Sequence, residues 1–172
     1  KSLEMMKSKL GLVVYHKEDL TLIQELEDLL QSTETDMTIF FRKLANFKMD
    51  NAERGLDLVC DAFYKADEVV GNIRERWIEW FVRYTERLKL EVNSNEERKA
   101  KMNRVNPKYV LRNYMAQLAI DESNNGDYSL IDELFHILKN PYDEQRKYQK
   151  WFAKRPDWAR HKVGCSMLSC SS

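Results

Sequence analysis

The sequence closes on a cysteine set among serines, Ser169-Cys170-Ser171-Ser172, its one candidate for covalent chemistry. A thiol on an exposed terminal stretch can be attacked or oxidised in a way that a core cysteine such as Cys60 cannot. The nearby Arg160, His161 and Lys162 favour the thiolate. Cys165 lies close enough along the chain to pair with Cys170 across a short loop, and an inert thiol on a frayed end is the plain alternative. Arg112 has the planar guanidinium that suits phosphate. The preferred reading is a buried arginine tying helix ends together through carbonyls and carboxylates. His16, His136 and His161 fall on separate expected elements without a His or Cys partner at zinc-ligand spacing, so no metal site is assigned. Between 139 and 162, eight Lys and Arg face three acids, interleaved with Tyr148, Trp151, Phe152 and Trp158. That pattern is compatible with a nucleic-acid face, but a solvated helix face with its aromatics in the core is the commoner outcome. No Gly-rich phosphate loop, Val-Ala-Ile-Lys, His-Arg-Asp or Asp-Phe-Gly motif is present. No catalytic or cofactor-binding residue is therefore assigned, and catalysis by this segment alone is not expected.

The elements that must position these residues read as helices. Leu3, Met6 and Leu10 mark a first one, ended by Gly11. Leu22, Ile23, Leu26, Leu29 and Leu30 mark a second over roughly 18–31. Asp36 caps a short third with Phe40, Phe41 and Leu44. Residues 46–55 read as a connector, followed by a short helix with Leu56, Val59, Cys60 and Phe63. The longest helix is expected near 66–92, with Ile73, Trp77, Trp80, Phe81, Tyr84 and Leu88 on one side. It is the expected central packing partner of a helix over 107–121. Asn93-Ser94-Asn95 separates it from a charged helix ending near Asn103. Asn106 then caps, and Pro107 opens, the helix carrying Val110, Leu111, Tyr114, Met115 and Leu118, interrupted by the polar Arg112 and Asn113. Ser129 with Asp132 resembles a capping box before Leu130, Ile131, Leu134, Phe135 and Leu138. Pro141 closes that helix, and a last one begins at Asp143, with Tyr148, Trp151 and Phe152. No strand-like alternation or repeat stands out. The fold class is all-α, an irregular bundle of about seven to nine helices, with 1–158 as one helical region and 159–172 as a flexible tail.

With 172 residues the chain can bury a real core. Lys plus Arg and Asp plus Glu number 28 each, so bulk charge does not hold it on nucleic acid or an anionic membrane. Five glycines and three prolines are few for this length and favour long helices. No apolar run reaches the roughly 18–20 residues that span a bilayer. Three cysteines make no disulfide framework, and a reducing cytoplasm is the default. Lys1 stands inside a helical pattern with no cap before it, which reads as a fragment that starts mid-chain.

The stretch Asn106-Pro107-Lys108-Tyr109-Val110-Leu111-Arg112-Asn113-Tyr114, with Met102 and Arg104 before it and Ala119-Ile120 after it, resembles the signature of the selenoprotein O family. A second match lies in Asn140-Pro141-Tyr142-Asp143-Glu144-Gln145, Pro156-Asp157-Trp158 and Ser169-Cys170-Ser171-Ser172. A third lies in Lys9-Leu10-Gly11-Leu12 and in Thr38 with Phe41-Arg42-Lys43-Leu44. The resemblance implies the C-terminal helical part of a protein-kinase-like fold. Such proteins are pseudokinases that bind ATP in an inverted pose and transfer AMP to Ser, Thr or Tyr hydroxyls of proteins (AMPylation), with magnesium or manganese. By resemblance, the nucleotide and metal residues belong to the N-terminal kinase-like portion, the expected partner of this segment alongside the parent's protein substrates. Cys170 stands where animal members carry selenocysteine, and a regulatory disulfide with a cysteine of the kinase-like portion is implied. The extra Cys165 blurs which thiol would pair. A bacterial-type member would be cytoplasmic, a eukaryotic one mitochondrial. The alternative is a non-enzymatic helical protein-interaction module.

Overall fold

Capping residues and apolar stripes set where the chain coils. In a computed structural model, which describes residues 3–163 and 165, the order is α1 (Leu3–Lys9), α2 (Asp19–Ser32), α3 (Met37–Leu44), α4 (Ala52–Val59), α5 (Gly71–Leu88), α6 (Asn95–Val105), α7 (Asn113–Asn124) and α8 (Ser129–Leu138). Short 3-10 turns lie at Cys60–Ala62, Ala66–Glu68, Arg146–Trp151 and Asp157–Arg160. Among the described residues the β pairing is a lone antiparallel bridge, Thr35 with Phe63. The fold is an all-α irregular bundle, as the sequence implies. It forms two compact units, Lys1–Asn106 and Pro107–Ser172.

In the first unit, α5 is the central helix. Trp77, Trp80, Phe81 and Tyr84 are all buried on it, and it packs against α2 and α4. Each polar edge of this aromatic stripe is satisfied. The Trp77 Nε1–H donates to Thr33 Oγ1 at 3.0 Å, the Trp80 Nε1–H to the Leu22 carbonyl at 2.9 Å, and the Tyr84 hydroxyl to the Leu10 carbonyl at 2.6 Å. Burial pushes the Tyr84 phenol well above its ordinary pKa, so it stays a donor. The caps are local: Asp36 accepts from the Ile39 N–H, Asn51 from the Arg54 N–H, and Ser94 with Glu97 forms a full capping box.

Gly55, inside α4, lets α5 approach closely. A Cβ there would lie 2.8 Å from Phe81 Cε1, too close for a rigid ring face. Gly55→Ala gains about 1 kcal/mol of helix propensity yet forces overpacking of about 1–3 kcal/mol. Its urea midpoint is expected to fall, whereas alanine at an exposed helical glycine would raise it.

Several expected boundaries move. The long helix is shorter than 66–92, because the chain enters α5 through Gly71 in a left-handed conformation, φ +58. Its partners within its own unit are α2 and α4, and that of α7 is α8. Asn106 ends α6 instead of opening a helix. At φ −111 and ψ 101 it is extended, as a residue before proline prefers. The next helix, α7, begins only at Asn113. Asp127, and not the Ser129–Asp132 pair, serves the start of α8, its Oδ1 accepting from the Ser129 N–H at 2.9 Å. The helix expected from Asp143 is a 3-10 turn, broken at Tyr148 and preceded by Gln145 in the left-handed region, φ 37.

The second unit centres on Tyr109, Tyr114, Met115, Leu134, Ile137 and Trp151, with Ala159 and Cys165 closing the same cluster. The Trp151 Nε1–H donates to Glu133 Oε2 at 2.8 Å.

Candidate functional site

Segments far apart in sequence meet in two polar clamps, one in each unit. In the first, the Arg42 Nη1 donates to the carbonyls of Asn103 at 3.2 Å and Asn106 at 3.0 Å. Those are terminal carbonyls of α6 and its cap, which lack helical partners. Asn106 is itself buried. Its Nδ2 donates to the Lys9 carbonyl at 3.0 Å, and its Oδ1 accepts from Lys9 Nζ at 3.1 Å. The Lys9 ammonium also lies 5.0 Å from the Phe41 ring centre, a cation–π contact. Beside it Gly11, at φ +73, turns the chain out of α1, where a Cβ would meet Arg98 Cγ at 2.6 Å. The ends of α1, α3 and α6 are thereby tied at one point.

The second clamp holds the extended run 107–112 against the loop 140–145. The N–H groups of Lys108 and Tyr109 both donate to the Pro141 carbonyl, at 2.8 and 3.1 Å. Lys108 is only 3% exposed. Its Nζ donates to the Glu144 carbonyl at 2.8 Å, Gln149 Oε1 at 2.7 Å and Glu144 Oε2 at 3.1 Å. The Tyr109 hydroxyl shares its proton between the Glu144 and Gln145 carbonyls, 3.0 and 2.9 Å away. The left-handed turn at Gln145 aims its Nε2 at the Ile137 and Asn140 carbonyls, at 2.9 and 2.7 Å, which satisfies the end of α8. Arg112 is buried at the N-cap of α7, where its carbonyl accepts from the Met115 and Ala116 N–H groups. Asn113 is the first residue of that helix.

A third polar cluster escaped sequence reasoning because its members lie 68 residues apart. Arg87 donates through Nε to Asp19 Oδ1 at 2.5 Å, through Nη1 to Glu91 Oε1 at 2.9 Å and through Nη2 to the Val14 carbonyl at 2.6 Å. Glu91 in turn accepts from the N–H groups of Val13 and Val14. Burial pushes the Asp19 carboxyl upward, but hydrogen bonds from Arg87 and the His16 N–H, with the charges of Arg87 and Lys7, outweigh it. The net pKa lies below the ordinary carboxylate value. The only sequence signal is an acid at the first turn of α2 beside an otherwise solvated face.

Of the candidate thiols, Cys165 is completely buried, while Cys170 lies outside the described residues. Within the basic 139–162 segment, Lys150 pairs with Glu133 at 3.2 Å and Lys162 with Asp121 at 2.8 Å. Among the described residues, no group of three or more His, Cys, Asp or Glu converges to hold a metal ion. What converges is scaffold chemistry: lysine, arginine and amide groups closing helix ends.

The clamps are built from the same stretches that carry the selenoprotein O resemblance. Residues 1–139 match the family described as "Protein adenylyltransferase SelO". The chain belongs to the SelO family. Its relatives include the "Protein nucleotidyltransferase YdiU" of Flavobacterium johnsoniae, 59% identical over 170 residues, covering 98% of this chain and 33% of that protein. The proteins of the same name from Aromatoleum aromaticum and Rhodopirellula baltica are 46% and 45% identical, again over 98% of this chain and 32% and 33% of theirs. The chain thus spans about a third of the length of the curated SelO-family relatives it matches. Among the described residues, no helix is long and apolar enough to cross a membrane.

Proposed function

We propose that this sequence is the structural and regulatory C-terminal segment of a protein adenylyltransferase. The complete protein transfers AMP: a Ser, Thr or Tyr hydroxyl oxygen of a protein substrate attacks the α-phosphorus of ATP, and pyrophosphate leaves. The nucleotide-handling residues lie outside this segment, in a kinase-like portion, and magnesium or manganese would be held there. The observation that carries this reading is the use made of the family's motif residues. Lys9, Arg42 and Asn106 close helix ends, and Lys108, Tyr109 and Gln145 pin an extended run. In this reading the redox role implied for the tail falls on Cys170, since Cys165 is sealed in the core of the second unit.

The test is a chimera in which these 172 residues replace the matching third of the Flavobacterium johnsoniae relative. It is expected to label protein with AMP from radiolabelled ATP, while the 172-residue chain alone neither labels protein nor binds ATP. Saturable ATP binding by the chain alone would overturn the reading.

A further inference from the structure

Helix α8 carries two apolar stripes, and the second unit uses one of them. Leu134 and Ile137 are buried, with Leu130 packed against the same cluster. On another side Tyr128, just before the helix, and Ile131 and Phe135 follow at spacings of three and four, and stay 60%, 41% and 63% exposed. A helix apolar on more than one side is a helix meant to be covered on more than one side. The spacing is that of side chains entering a groove on a facing helix. The Lys139 ammonium lies 4.6 Å from the Phe135 ring centre, at one end of this stripe.

Resting on the reading above, we infer that the Tyr128–Ile131–Phe135 face of α8 is the surface on which the remaining two thirds of the SelO polypeptide docks. The size of the patch selects this occupant. At 60%, 41% and 63% exposure the three side chains offer roughly 350 Å², short of the roughly 450 Å² that is the apolar share of one partner's surface in a stable complex between free proteins. A second copy of the chain would therefore hold poorly on it. A tethered segment meets it at an effective concentration of roughly millimolar, and a small apolar patch then suffices. The relatives supply such a segment, since this sequence aligns over 98% of its own length to 33% of theirs.

The probe is a cysteine-reactive maleimide used on Phe135→Cys, in a background with Cys60→Ala and Cys170→Ser. Labelling is compared between the 172-residue chain and the full-length chimera. Labelling is expected to be fast in the chain and at least tenfold slower in the chimera. In parallel, Ile131→Ser with Phe135→Ser should leave the thermal midpoint of the chain unchanged and lower that of the chimera. Equal labelling rates in the two proteins would overturn the docking. So would protection that is present in the chain itself and vanishes on dilution, which would assign the face to a second copy. A chimera that transfers AMP yet leaves the thiol open removes the docking and keeps the transferase reading. One that protects the thiol without transferring AMP does the reverse.

Discussion

Replacing Arg87 with methionine is expected to destabilise the first unit by about 3–5 kcal/mol, the usual cost of breaking a buried ion pair from one side. Methionine keeps most of the arginine stem and removes the charge. It strands two carboxylates: Asp19, with no exposed surface, and Glu91, whose side chain is 3% exposed. It also frees the Val14 carbonyl that Arg87 holds, so the loop between α1 and α2 loses one of its anchors. Urea unfolding gives the magnitude, and amide exchange in α2 and α5 locates it. The pH dependence has a sign of its own. In the parent chain the Asp19 pKa is lowered by folding. Its contribution is therefore complete above the unfolded value of about 4 and lost as pH falls through the lower folded value. In Arg87→Met the burial that raises the carboxyl pKa remains, opposed now by the His16 N–H and the Lys7 charge without the arginine. The deficit relative to the parent should then shrink on acidification from neutrality towards the carboxylate range. A deficit independent of pH would mean that Arg87 acts by packing alone. Asp19→Leu added to Arg87→Met should recover part of the loss, because it removes one of the two stranded charges.

Local signals were legible wherever one residue settles the matter. Gly11 does leave α1 in the left-handed conformation, and Asp36 does cap α3. The apolar stripe of α2 is buried as its spacing implies. Asn106-Pro107 misled because proline follows a helix end as readily as it opens a helix. What decides is distant: the Pro141 carbonyl takes the Lys108 and Tyr109 N–H groups, and so holds the run extended. The 3.6-residue period also cannot say how many sides of a helix a chain will cover by itself. Leu134 and Phe135 look alike in sequence, yet one is buried and the other open. The aromatic side of α5, with two tryptophans, is closed within its own unit, whereas α8 leaves Ile131 and Phe135 open. Nor does local reading place Cys165, whose burial depends on side chains from α7, α8 and the turn at Arg146–Trp151. The polar clamps were legible as motifs but not as contacts, because each joins residues tens of positions apart.

Lys108→Met is expected to cost about 2–3 kcal/mol in the second unit, the range for losing a charged donor from buried acceptors. The substitution keeps the stem of the side chain as far as Cε and removes the ammonium. Without it, Gln149 Oε1 and the Glu144 carbonyl lose their short bonds of 2.7 and 2.8 Å. The Glu144 carboxylate, with its side chain 56% exposed, can turn to water and loses little. Arginine should not rescue the lysine, since a planar guanidinium cannot serve three acceptors arranged around a single nitrogen. Tyr109→Phe removes one hydroxyl proton shared by two carbonyls and should cost about 1 kcal/mol. The two losses should not add, because both groups hold the same 144–145 turn. The sharper readout is amide exchange at Lys108 and Tyr109. Both donate to Pro141 through the backbone, which neither substitution touches. If the side-chain cage is what keeps that loop in place, both amides lose protection in Lys108→Met while α7 keeps its own. If they stay protected, the loop is held by the left-handed turn at Gln145 and its bonds to Ile137 and Asn140. Gln145→Ala would then be the variant that releases the run.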